Sequence, residues 1–105
     1  MRTLEFVVEG QLIKKKTDCD FSNIVAGSVG YLKAKFYFSS EWDGCRKAAS
    51  FWAYDNEYPV LLDPNDECPI APLALNGESF MVSVTGVKSD YKIKSSKTKV
   101  RQEVC

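Results

Sequence analysis

The chain has 105 residues, 45% of them hydrophobic and 12% aromatic, enough for one domain with a hydrophobic core and too short for two. Fourteen Lys plus Arg balance fourteen Asp plus Glu, so no global field draws in nucleic acid or an anionic membrane. The absence of histidine removes the usual general acid–base group, the commonest zinc ligand, and the Ser–His and Cys–His nucleophile pairs.

From the N-terminus, TLEFVVE (3–9) sets Leu4, Phe6 and Val8 on one side, as a half-buried strand requires. Glu9-Gly10 marks a turn, and QLIKK (11–15) reads as a short second strand. TDCDFSNIVAGSVG (17–30) is unpatterned and reads as a loop carrying Phe21, Ile24 and Val25. VGYLKAKFYF (29–38) alternates strictly, with Leu32, Ala34, Phe36 and Phe38 opposite Tyr31, Lys33, Lys35 and Tyr37. KAASFWAY (47–54) and YPVLLD (58–63) form the next pair, joined by a turn at Asp55-Asn56. PLALNG (72–77) allows one helical turn stopped by Asn76-Gly77. SFMVSVTGV (79–87) alternates Phe80, Val82 and Val84 against Met81, Ser83 and Thr85 and ends at Gly86. YKIK (91–94) and KTKVRQEV (97–104) close the chain as strands.

These spacings predict an all-β fold: an antiparallel β-sandwich of about eight strands, jelly-roll-like, in one domain spanning 1–105 with little helix. The expected core is Leu4, Phe6, Leu32, Phe36, Phe38, Trp42, Phe51, Leu61, Phe80, Val82 and Val84. No apolar run reaches the roughly 20 residues of a membrane span, and MRTLEFVVEGQL lacks the layout of a signal peptide. The expectation is therefore a soluble chain made in a cytoplasm, with no membrane partner.

Motifs for chemistry are few. Cys19, Cys45, Cys68 and Cys105 form no CxxC pair, and a cytoplasmic product keeps such thiols reduced, so no zinc site and no redox dithiol is expected. Asp63, Asn65 and Glu67 match the opening of a calcium loop, but Cys68 stands at its glycine position and Ala74 at its terminal glutamate. The paired carboxylates Glu41 and Asp43, or Asp55 and Glu57, sit in turns where nothing holds them at a catalytic separation. No metal, no cofactor and no catalytic residue is expected. Trp42, Trp52, Tyr54 and Tyr58 suggest a sugar-stacking platform, set against core or interface packing of the same rings.

Charge is segregated along the chain. Residues 41–78 carry eight acids against Arg46 and Lys47, whereas 79–105 carry six bases against Asp90 and Glu103. The bland account is two solvated regions; the sharper ones are complementarity between copies and nucleic-acid binding. Lys92, Lys94, Lys97, Lys99 and Arg101 alternate as one strand face requires, but Tyr91 is the single aromatic among them, which disfavours nucleic acid.

The most informative stretch is FYFSSEWDGCRKAASF (36–51), followed by YPVLLD, ECPIAPLAL and SFMVSVTGVKSDYKIKSS. It resembles the Phe-x-Phe-Ser-x-x-Trp-x-Gly pattern of small β-sandwich domains in bacteriophage baseplate and tail-fibre proteins, over about residues 29–104. The resemblance implies architectural roles: Trp42 plugging the core end beside Phe36 and Phe51, and Gly44 permitting a tight return. Members usually continue into a stalk, coiled coil or receptor-binding head, whereas this sequence stops at Cys105. The function implied is a non-enzymatic phage or prophage structural or docking module, located in the host cytoplasm during synthesis and then in the virion. It would self-associate or bind other phage structural proteins through strand edges or through Tyr31, Tyr37, Trp52 and Tyr54. The alternatives are a small inhibitor or adaptor presenting the acidic middle segment to a host protein, and a carbohydrate-binding module.

Overall fold

A computed structural model describes residues 1–104. The strands are β1 (Arg2–Glu9), β2 (Leu12–Lys15), β3 (Leu32–Phe38), β4 (Arg46–Ala53), β5 (Asn56–Leu61), β6 (Glu67–Pro69), β7 (Ser79–Lys88), β8 (Tyr91–Lys94) and β9 (Thr98–Arg101). Two single 3-10 turns, Ser40–Trp42 and Pro72–Leu75, are the helical elements among the described residues. No helix among them is long and apolar enough to cross a membrane.

The strands form two sheets, one ordered β2-β1-β3-β6 and the other β5-β4-β7 with β8 and β9 both on the far edge of β7. The chain is all-β and sandwich-like, since inward residues of both sheets merge into a single core. Alternation explains the strands directly. On β1, Leu4, Phe6 and Val8 are buried; on β3, Leu32, Ala34 and Phe36; on β7, Phe80, Val82 and Val84. Phe6, Phe36, Phe38 and Trp42 continue as a run of neighbouring rings, with successive centroids 5.4, 5.9 and 5.0 Å apart.

Several expectations are corrected. The pairing is not wholly antiparallel: β1 and β3 run parallel, with Phe6 opposite Phe36. Strands brought together by the long 16–31 excursion can pair in either sense, and alternation does not report direction. Among the described residues there are nine strands where about eight were expected, Glu67–Pro69 on the edge of β3 being one that the alternation did not indicate. The hairpin turn is Tyr54-Asp55 rather than Asp55-Asn56, since Ala53 pairs with Asn56. Leu61 is not core but 68% exposed, because Tyr58, Val60 and Leu62 are the β5-side residues packed on the core and Leu61 has the opposite parity. Phe38 is half-buried at its strand end.

Trp42, which the resemblance set beside Phe36 and Phe51, is buried in the core with its ring 5.0 Å from that of Phe38 and its edge against Gly86. Its indole is fully buried and donates to the Gly10 carbonyl at 2.8 Å. A Cβ at residue 86 would lie 2.8 Å from Trp42 Cε3 and 3.1 Å from Cys45 Cβ, so β7 needs glycine there for the indole to lie against its backbone. Gly44, at φ 76°, makes the return into β4 in a left-handed conformation.

Denaturant unfolding checks this arrangement. Gly86→Ala is expected to cost about 1–3 kcal/mol by overpacking and Trp42→Ala about 3–5 kcal/mol, whereas Leu61→Ser should stay within about 0.5 kcal/mol as a surface change does.

Candidate functional site

The four aromatic residues singled out from the sequence are not gathered into one patch. Tyr31 immediately precedes β3 and is exposed; Tyr37 is on the outer face of the four-stranded sheet; Trp52 is on the outer face of the five-stranded sheet; Tyr54 heads the β4–β5 turn. Tyr37 donates its hydroxyl proton to Glu5 at 2.6 Å, and the Lys16 and Lys35 ammonium groups lie over its ring. That hydrogen bond to Glu5 favours the neutral phenol and raises its pKa above the ordinary value. Trp52 is half-buried, donates to Ser83 Oγ at 2.9 Å and is covered by Lys97 at 3.8 Å from the ring centroid. Tyr58 packs against the core. Of the four rings of the expected sugar platform, Trp42 is fully buried and only Tyr54 stands free, at 85% exposure.

The sheet register assembles a surface that residue spacing only hinted at. Leu61, Ala48, Thr85 and Lys94 form one row across the outer face of the five-stranded sheet. Arg46, Val87 and Lys92 form the next. These rows enclose a groove of 260 Å³ lined by Arg46, Lys47, Ala48, Leu61, Thr85 and Val87. Lys97 lies over Trp52 on this face, and Lys99 and Arg101 pair with Met81 and Ser79 on the same parity. The five cations at 92, 94, 97, 99 and 101 therefore form one column, and none makes an ion pair among the described residues.

The Asp63 carboxylate accepts from the backbone amides of Asn65 at 2.8 Å and Glu67 at 3.1 Å, which closes the 63–67 turn. Glu67 is ion-paired with Lys33, and Asp66 with Lys47. Among the described residues no three Cys, Asp or Glu side chains converge as a metal-binding group. Cys19, Cys45 and Cys68 are free thiols; the expectation for Cys105 lies outside the described residues. Burial, with a smaller contribution from the Asp63 carboxylate, pushes the Cys68 thiol up to about 12, so it is a neutral packing group at physiological pH.

A further cleft of 470 Å³ lies at the turn end of the sheet, lined by Tyr54, Asn76, Gly77, Glu78, Ser79 and Val104. Tyr54 has φ 56°, where an L-residue other than glycine or asparagine costs about 1–2 kcal/mol. Sequence reading missed both the groove and this cleft. The exposed parity of Leu61 and the Asn76-Gly77-Glu78-Ser79 run were the available signals, and neither says what it faces until the strands are placed. Compared with protein-family models, curated proteins and solved structures, the chain matches none.

The thiol assignment is checked by disulfide-exchange labelling in a Cys105→Ser background. At pH 8, Cys19 and Cys45 should react in the native state, and Cys68 only on unfolding. Since the Cys68 pKa is raised on folding, its contribution to stability is complete below the ordinary thiol value of 9.0 and is lost as pH rises toward about 12. Cys68→Ala should flatten that alkaline slope.

Proposed function

We propose that this chain is a non-enzymatic docking module that engages its partner through the outer face of the five-stranded sheet. The observation that carries this reading is the composition of that face. Leu61, 68% exposed on edge strand β5, sits beside Ala48, and Val87, 44% exposed on β7, sits between Arg46 and Lys92, while the cationic column of β8 and β9 runs along the margin opposite β5. Exposed apolar side chains next to unpaired charge of one sign form an interface that combines area burial with steering toward an acidic partner.

The setting follows from the sequence likeness to baseplate and tail-fibre domains: a phage or prophage particle, with synthesis in the host cytoplasm and another phage structural protein, or another copy, as partner. A jelly-roll-like wrapping goes with that setting. The two facing sheets support it, and the parallel β1–β3 pair limits how far the likeness extends. Tyr31 and Tyr37 belong to a second, opposite surface available to an assembly with two neighbours. The inhibitor or adaptor reading places the same basic face, rather than the acidic middle segment, against a host protein.

Co-purification of the tagged chain with assembled particles tests this. Wild type is expected to sediment with particles, and Leu61→Glu, a surface change with little effect on the fold, to abolish association while leaving the melting temperature unchanged. Stoichiometric recovery of one host enzyme, with no particle association, would replace the structural reading with the inhibitor.

A further inference from the structure

We propose that the cleft beside Tyr54 binds a neutral saccharide, by stacking a sugar ring on the exposed tyrosine and hydrogen-bonding its hydroxyls to Asn76, Glu78 and Ser79. Three observations converge there. The first is strain: Tyr54 occupies the first position of a two-residue hairpin turn at φ 56°, where glycine or asparagine serves the fold better. A bulky ring held in that conformation and left 85% exposed contributes almost no burial to folding, so its placement there points to work at the surface.

The second is the fit between the ring and the cleft floor. An ideal Cβ at residue 77 would stand 3.0 Å from the Tyr54 hydroxyl oxygen and 3.4 Å from Cζ, so glycine at this position lets the phenol edge rest on the backbone. The floor is fixed from beneath, where Gln102 donates its side-chain amide to Gly77 O at 3.0 Å and its backbone amide to Glu78 O at 2.7 Å. The third observation is that Gln102, whose amides hold Gly77 O and Glu78 O, keeps its Oε1 buried without a hydrogen-bond partner among the described residues, and such orphans are uncommon in native proteins.

The lining selects the ligand class. One flat amphipathic ring, a carboxamide, a carboxylate and a hydroxyl around an open cleft of 470 Å³ are what a sugar needs: an apolar face to stack on and planar acceptors for neighbouring hydroxyls. Glu78, with Asp55 in the adjoining turn, disfavours anionic ligands. The groove beside Leu61 is a separate surface, so this site does not depend on the docking reading.

A microarray of neutral saccharides, followed by amide-shift titration of the best retained glycan, tests the site. The expected result is millimolar binding with shifts concentrated at Gly77, Glu78 and Ser79. Tyr54→Gly should weaken it by about tenfold or more, as loss of an aromatic anchor does, while the melting temperature stays equal or rises because the strained φ is relieved. Gly77→Ala, which pushes the phenol edge off the backbone by a few tenths of an ångström, should weaken binding less than Tyr54→Gly. Retention of no neutral saccharide on the array, or undiminished binding by Tyr54→Gly, would overturn the proposal.

Discussion

The contact between the Trp42 indole and the backbone of two sheets is the constraint around which the rest is arranged. Its N–H is committed to the Gly10 carbonyl, at the β1–β2 turn of one sheet; its ring edge lies against Gly86 on β7 of the other; its face adjoins Phe38. Fixing this residue therefore fixes the separation of the sheets at one end, and the run of rings from Phe38 through Phe36 to Phe6 transmits that spacing inward. An indole nitrogen buried without an acceptor costs more than the bond contributes when made. The β1–β2 turn consequently has one place to sit. The Ser39 hydroxyl, accepting from the Gly10 amide at 3.0 Å, holds the same turn from the other side.

Edges are the second problem of a small two-sheet fold, and this chain closes several of them locally. β2 covers only the later half of β1; the earlier half is lined by the following loop, where the Glu5 amide donates to Cys19 Sγ and the Arg2 guanidinium donates to the carbonyls of Asp20, Ser22 and Asn23. The broken edge formed by β8 and β9 is tied at its break to the other sheet: the Ser96 amide donates to Gln11 O, the Ile13 amide to Ser96 Oγ, and the Gln11 side chain to Lys94 O. Edge strand β5 carries Pro59, which has no amide donor, and β6 is only three residues long. Short, interrupted or covered edges discourage strand addition, so interaction falls to the faces. This shifts the weight of the docking proposal away from strand-edge pairing and toward the outer face of the five-stranded sheet.

Much of this fold was legible because period-two alternation is a local property. Phe80, Val82 and Val84 or Leu4, Phe6 and Val8 identify themselves as core whatever their strands pair with. What alternation cannot convey is partner, direction and parity in apolar runs. Val60-Leu61-Leu62 can bury either parity, and tertiary pairing with β4 chose the even one. The parallel β1–β3 pair and the joint use of one β7 edge by β8 and β9 are long-range choices with no local signature. The candidate site was less legible still. Tyr54 was recognisable as a ring near a turn, but its left-handed backbone and its position over Gly77 belong to the folded hairpin.

Placement of the strands also changes the meaning of the charge segregation. Of the eight acids between 41 and 78, five are already engaged: Glu41 with Ser39, Glu57 with Ser50, Asp63 with its turn amides, Asp66 with Lys47 and Glu67 with Lys33. The bases after 79 are arranged differently. Lys97 covers Trp52 and Lys88 reaches the Asp43 carbonyl and the ring of Tyr91, while Lys92, Lys94, Lys99 and Arg101 share one face without an ion pair among the described residues. The acids are largely consumed by turns and cross-strand pairs, and the bases are left facing solvent. A surface that steers a partner must present charge that folding has not neutralised, so the basic sheet face is better suited to recognition than the acidic middle segment.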